Sequence, residues 1–228
     1  MLHVVIAEAE VELVPAKIAR HPVIKKEAAR RRKKPEAMLL DSSVHHAAMR
    51  SLTDGKRRGR PDIAHYTLLA LLESPLNKQG MLRCYLHTRN DEVIFINPET
   101  RLPRACQRFR GLMEKLFAEG KITSGEVMLL EMKRMGIAQL VRNIGSEHVV
   151  LLSEDGREAE PWELAAKLVS KRNPCVIIGG FPSGGFRGDY SFAHERISIF
   201  PSPLAAWSVA AEVVSSYRRC IADAKTQP

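Results

Sequence analysis

Apolar residues fall along this chain in short blocks separated by charged or glycine-rich breaks, and the spacing within each block predicts its element. Leu2 to Ala7 is a nearly unbroken apolar run of strand length, followed by Glu8, Glu10 and Glu12. His21 to Lys34 reads as a basic helix ended by Pro35, and Ala37 to Leu40 as a second strand. Asp41-Ser42-Ser43 offers cap oxygens to the helix that follows. Pro61 suits the first turn of a helix running to about Glu73, with Leu68, Leu69 and Leu72 on its buried side. Met81 to His87 and Val93 to Ile96 read as strands joined by a hairpin turn at Arg89-Asn90-Asp91. A helix beginning near Leu102 or Pro103 puts Ala105, Phe109, Leu112, Met113, Leu116 and Phe117 on one face. Gly125 to Asn143 is expected to be helical with a break at Gly136, and His148 to Leu152 to be a strand ending at Ser153. Pro161 to Ser170 reads as a helix around Trp162, Leu164, Ala165 and Leu168. Cys175 to Ile178 and Ile197 to Phe200 read as two further strands, the second stopped by Pro201 and Pro203. A final helix is expected from Leu204 or Ala205 to about Ala222. Strands alternating with helices predict an α/β fold with a largely parallel sheet.

Composition narrows the partners. The 228 residues can bury one α/β core with room for an insertion. Thirty-five Lys and Arg against 26 Asp and Glu leave a net charge of +9, which favours a polyanionic partner, nucleic acid ahead of membrane. No apolar run reaches the roughly 18 residues of a membrane span. The early charges at Glu8 and Glu10 argue against a signal peptide. Cys84, Cys106, Cys175 and Cys220 form no C-x-x-C pair, which predicts reduced thiols in a cytosolic protein and no zinc site or disulfide. His45, His46 and His65 have no metal-ligand spacing.

Two stretches carry chemistry. Between the strand at Cys175 and the final helix lie Gly179, Gly180, Gly184, Gly185 and Gly188, then a Pro-Ser-Pro break. Loops so poor in side chains leave backbone N–H and C=O groups free to meet a small ligand closely. G-x-G-x-x-G and G-K-[ST] are absent, and Ser183 is not in G-x-S-x-G, so dinucleotide, P-loop and nucleophile-elbow chemistry lack support. The second stretch is cationic. Arg60 sits at a helix mouth beside Asp62, which is placed to steady it for bidentate phosphate contact. Arg104 and Arg108 lie four apart, with Arg101 on the approach, as a stripe suited to phosphates. Lys25 to Lys34 adds a basic arm. A plain solvated face is the competing reading of each.

The segments LLDSSVHHAAM, RGRPDIAHYTLLALLESPLNK, YLHTRNDEVIFINPETRLPRACQRFRGLMEKLF and IIGGFPSGG with ISIFPSPLAAW are together similar to the ribosome-biogenesis pseudouridine N(1)-specific methyltransferases. That family belongs to the SPOUT superfamily of knotted methyltransferases, and the resemblance, archaeal in type, spans about residues 37 to 217. It implies a single SPOUT-type α/β domain over residues 1–228, with a mostly parallel sheet, family-specific insertions and a deep trefoil knot over about 148–222. It implies S-adenosyl-L-methionine as cofactor, held by Leu152, Gly179, Gly184, Ile199, Phe200, Pro201, Ser202, Pro203 and Leu204. It assigns RNA contact to Arg60, Arg101, Arg104 and Arg108, with Asp62 supporting Arg60. The basic segment 20–35 and the hairpin and helix of 81–117 are then the RNA-facing elements. The chain departs from many relatives at Ser183 and Gly185, where they carry His and Asp. The implied activity is methylation of a pseudouridine N(1) in a small-subunit ribosomal RNA loop by a cytoplasmic homodimer. The alternative is a non-catalytic rRNA-binding assembly factor. No side chain is identified as a catalytic base.

Overall fold

A computed structural model describes residues 1–226. Its strands are β1 (Leu2–Ala9), β2 (Leu82–Thr88), β3 (Glu92–Ile96), β4 (Lys121–Ser124), β5 (Val127–Arg134), β6 (Val149–Glu158), β7 (Cys175–Gly179) and β8 (Glu195–Ser198). All eight share one sheet, in the order β4-β5-β3-β2-β1-β7-β6-β8. From β2 to β8 every neighbour is parallel, with Val4 opposite both Cys84 and Val176 in the middle. From β2 outward to β4 the pairs are antiparallel. The sheet is therefore mixed, and the largely parallel sheet expected from sequence describes only one side of it.

Every residue of β1 is buried, because helices cover both faces of the parallel half. Val4, Ile6, Val150, Leu152, Val176 and Ile178 face one core. It also takes in α3 (Pro61–Leu72), α5 (Cys106–Glu119), α7 (Pro161–Val169) and α8 (Ala206–Thr226). The alternate positions Val5, Ala7, Val149, Leu151 and Ile177 face a second core with α6 (Ile137–Ile144) and Tyr190. A satellite core gathers Ile18, Ile24, Met38, Leu40 and Met49 around α1 (Pro22–Arg31) and α2 (Ser42–Met49). The remaining α4 (Pro75–Lys78) is one short turn.

Several sequence expectations change. Ala37 to Leu40 is not a strand: Pro35–Ala37 forms a 3-10 turn and Leu39 makes only an isolated bridge to Leu13. Residues 125–143 are not one helix. Their first half belongs to the β4–β5 hairpin, whose turn holds Gly125, and Leu130 pairs with Ile96 of β3. Cross-strand pairing decides that segment over its helix propensity. The helix expected from Leu102 begins at Cys106 with Ala105 as its N-cap, so Arg104 precedes it and shares no helical face with Arg108. Trp162 is 60% exposed instead of packed inward. β6 runs on past Leu152, with Ile197 of β8 facing both Leu152 and Arg157, so residues 153–156 bulge out of the ladder. Leu69 is only partly buried, while Leu68 and Leu72 are core.

Candidate functional site

The bulge of β6, the end of β7 and the segment between β8 and α8 surround a cavity of about 420 Å³. That size suits a small organic ligand. Leu152 and Gly179 line it from the strand ends, and Gly184 from the glycine loop. Ile199, Phe200, Ser202, Pro203 and Leu204 line it from the segment that leads into α8. Pro201 is exposed and lies outside the lining, so of the nine residues expected at a cofactor it alone is not in the wall. Ile178, Ile197 and Val209 add apolar surface, and Ser153, Glu154 and Asp155 a polar edge.

Two glycines are dictated by this geometry. Gly184 has φ +77°, a conformation open to glycine at little cost. At Gly180 a Cβ would come within 2.7 Å of the Ala9 Cα, so only a hydrogen lets the loop leave the sheet beside β1. The wall is thus backbone and apolar side chains with a few polar groups, which fits a flat heterocycle carrying polar substituents.

The loop is held from below by a buried charge network. Arg57, 5% exposed, donates from Nη1 to the carbonyls of Gly185 (2.8 Å) and Ser183 (3.4 Å). It pairs with Glu8 at 2.7 Å and Glu10 at 2.9 Å, and its guanidinium lies 3.7 Å from the Phe181 ring centroid. Glu8 in turn accepts the backbone N–H groups of Arg187 and Gly188. Arg89 joins Glu10 to Glu12, and Arg58 binds Glu12 through Nε and Nη2. Sequence reasoning missed Arg57, one of four cations in Lys56-Arg57-Arg58-Gly59-Arg60. The available signal was Glu8, Glu10 and Glu12, which continue a fully buried strand and so require cations brought to them.

The second cluster is cationic. Arg60 stands at the N-terminal boundary of α3 and binds Asp62 through two nitrogens, at 2.9 and 2.8 Å. His65, one turn further on, stacks on Phe109 of α5 at 4.4 Å and bonds through Nε2 to the Pro103 carbonyl at 2.7 Å. Burial lowers the His65 pKa and the bond to Pro103 partly offsets this. That bond fastens the chain between Arg101 and Arg104 to α3, so the structure sets Arg60 and the Arg101–Arg108 stretch on neighbouring elements. Arg101, Arg104 and Arg108 are exposed and have no ion pair among the described residues. The basic arm is less free than its sequence suggests. Arg31 and Lys33 both bind the buried Glu114, and Arg30 binds Glu27. Lys25, Lys26, Arg32 and Lys34 are exposed without such partners among the described residues. The four cysteines are free thiols, and burial pushes Cys84 and Cys175 up to about 12.

A family model described as EMG1/NEP1 methyltransferase matches residues 4–218. The ribosomal RNA small subunit methyltransferase Nep1 of Thermococcus onnurineus is 47% identical over 221 residues, covering 97% of this chain and 100% of that protein. Its counterpart in Pyrococcus furiosus is 48% identical over 216 residues, covering 95% of this chain and 96% of its own. Among solved structures, Archaeoglobus fulgidus Nep1 bound to S-adenosylhomocysteine matches with a TM-score of 0.87 at 41% identity, over 96% of this chain and 98% of that one.

Proposed function

The chain belongs to the EMG1/NEP1 methyltransferase family, and on that footing we propose that it methylates the N(1) nitrogen of a pseudouridine in a small-subunit ribosomal RNA loop. The observation that carries this reading is the glycine-walled cavity, whose loop is tied by Arg57 to the short segment that also carries Arg60. When bound, S-adenosylmethionine supplies an electrophilic methyl group on its sulfonium sulfur. Leu152, Gly179, Gly184, Ile199, Phe200, Ser202, Pro203 and Leu204 would hold it. Their work is to exclude water and fix the approach direction, since methyl transfer gains most from positioning.

Arg60, steadied by Asp62, and Arg101, Arg104 and Arg108 grip the RNA phosphates in this reading, with Lys25 to Lys34 alongside. An unpaired loop base is the substrate form that such a site reaches. Pseudouridine N(1) carries a proton that must leave, and uridine has carbon at that position, so selectivity follows from the acceptor itself. A cation-lined groove favours loss of that proton, and no side chain is assigned as the base.

The whole chain is then one SPOUT-type domain with its knot over about residues 148–222. It works as a cytoplasmic homodimer. Phe200 and Leu204 at the cavity rim, and Trp207 beside it, are exposed apolar groups that support pairing through this face. No helix among the described residues is long and apolar enough to cross a membrane.

The test is transfer of labelled methyl from S-adenosylmethionine to a small-subunit rRNA hairpin with and without pseudouridine. Label is expected only in the modified hairpin. Equal labelling of both would remove the pseudouridine assignment. Cofactor-free RNA binding with no transfer would leave a non-catalytic assembly factor.

A further inference from the structure

Ser183, Gly184 and Gly185 are exposed, and the loop they form lies outside any strand or helix. Such a segment opens easily unless something fastens it. Two buried side chains from distant parts of the chain do so with full charges: Arg57 holds the carbonyls of Ser183 and Gly185, and Glu8 holds the amides of Arg187 and Gly188. Charge-assisted bonds of this kind are roughly twice as strong as neutral ones. Three residues after Arg57, the backbone N–H of Arg60 donates to the Glu10 carbonyl at 3.0 Å. Glu10 therefore touches both ends of this short segment: its carboxylate holds Arg57 and its carbonyl holds Arg60.

We propose that Arg57 is a positioning residue for the glycine loop and that Glu10 links it to Arg60, so that RNA held at Arg60 and ligand held in the cavity strengthen each other. This rests on the functional reading above. The loop must be ordered for the cavity to have its wall, and the first ligand to arrive meets that cost for the second. Linkage is reciprocal, so each ligand raises the affinity of the other by the same factor. Arg57 is too buried to meet either ligand itself, which separates this role from contact.

The full chain is titrated with S-adenosylhomocysteine, which cannot react, with and without a saturating pseudouridine-bearing rRNA hairpin. RNA is expected to lower its Kd at least threefold. In Arg57→Lys, a point charge that cannot serve Glu8, Glu10 and two carbonyls together, Kd without RNA should rise at least tenfold and the effect of RNA should vanish. RNA affinity without ligand should change less than threefold, a split that general loosening of the fold would not give. Hydrogen exchange on the unaltered protein supplies a second measure: RNA alone should slow the amides of residues 183–188. Unchanged Kd and unchanged exchange when RNA is bound would overturn the proposal, as would a folded Arg57→Lys with ordinary ligand affinity. Methyl transfer measured on the same hairpin keeps the two ideas apart, because intact transfer without coupling removes only this inference.

Discussion

At Gly184 a single backbone angle shapes the ligand wall. With φ at +77°, any β-branched side chain would strain the loop. Gly184→Val is expected to weaken S-adenosylmethionine binding at least tenfold, about 1.4 kcal/mol, by calorimetry, in a protein whose thermal unfolding shows it folded. A glycine cluster was legible in the sequence, but which glycine serves backbone angle and which serves packing was not, since both depend on neighbours such as Ala9 that lie about 170 residues away along the chain. Arg57 was hard to single out for a related reason: Glu8, Glu10 and Glu12 called for buried cations, but its neighbours in sequence are cations too and only burial separates them. Glu195 gives a pH signature. Burial alone would raise its pKa, but hydrogen bonds from Lys167 and His148 outweigh this and hold it at about 2, below the usual 4.5. Its contribution is therefore complete above pH 4.5 and lost as pH falls towards 2. The urea midpoint of Glu195→Gln should trail the unaltered protein at pH 6, with the gap closing over that window.

Among elements, α3 and α5 matter most, because the His65 bond to Pro103 fixes one against the lead-in of the other. If Arg60, Arg101, Arg104 and Arg108 each neutralise about one phosphate, replacing any one by Ala should flatten the slope of log K for RNA against log salt by up to about one. Cofactor affinity should stay within a few fold for Arg101, Arg104 and Arg108. Asp62→Ala should act as a milder Arg60→Ala, since it frees the guanidinium without removing its charge. Wild-type RNA binding by all four alanine variants, measured across a salt series, would leave the arginines as a solvated face. Helix starts marked by Pro61 and Pro161 were readable, as was the Asp41 cap, because these signals are local. The start at Cys106 was not, because Arg101 to Ala105 is drawn out of helix by its tie to α3. The β4–β5 hairpin was misread because β5, besides pairing with β4, is joined to the sheet by β3, a strand well back in the chain that no local pattern reveals.

At the scale of the whole molecule, the proposed homodimer predicts sedimentation at twice the 25.5 kDa of one chain, by analytical ultracentrifugation. A species at the single-chain mass at micromolar concentration would remove it. The parallel half of the sheet was legible since strands buried on both faces read as unbroken apolar runs. Of the antiparallel strands β3 gave such a run, whereas β4 and β5, largely exposed at the sheet edge, gave weaker ones. β1 precedes the other seven strands of its sheet and lies inside it, with β2 on one edge and β7, beginning at Cys175, on the other. Translation at about 5–20 residues per second separates the synthesis of β1 from that of β7 by roughly ten to thirty seconds. Until then the strand, apolar but for His3 and Glu8, lacks the partner on its β7 side. An edge left open for that long is a template on which other chains can pair, so the order of synthesis bears on aggregation alongside the energy of the finished sheet.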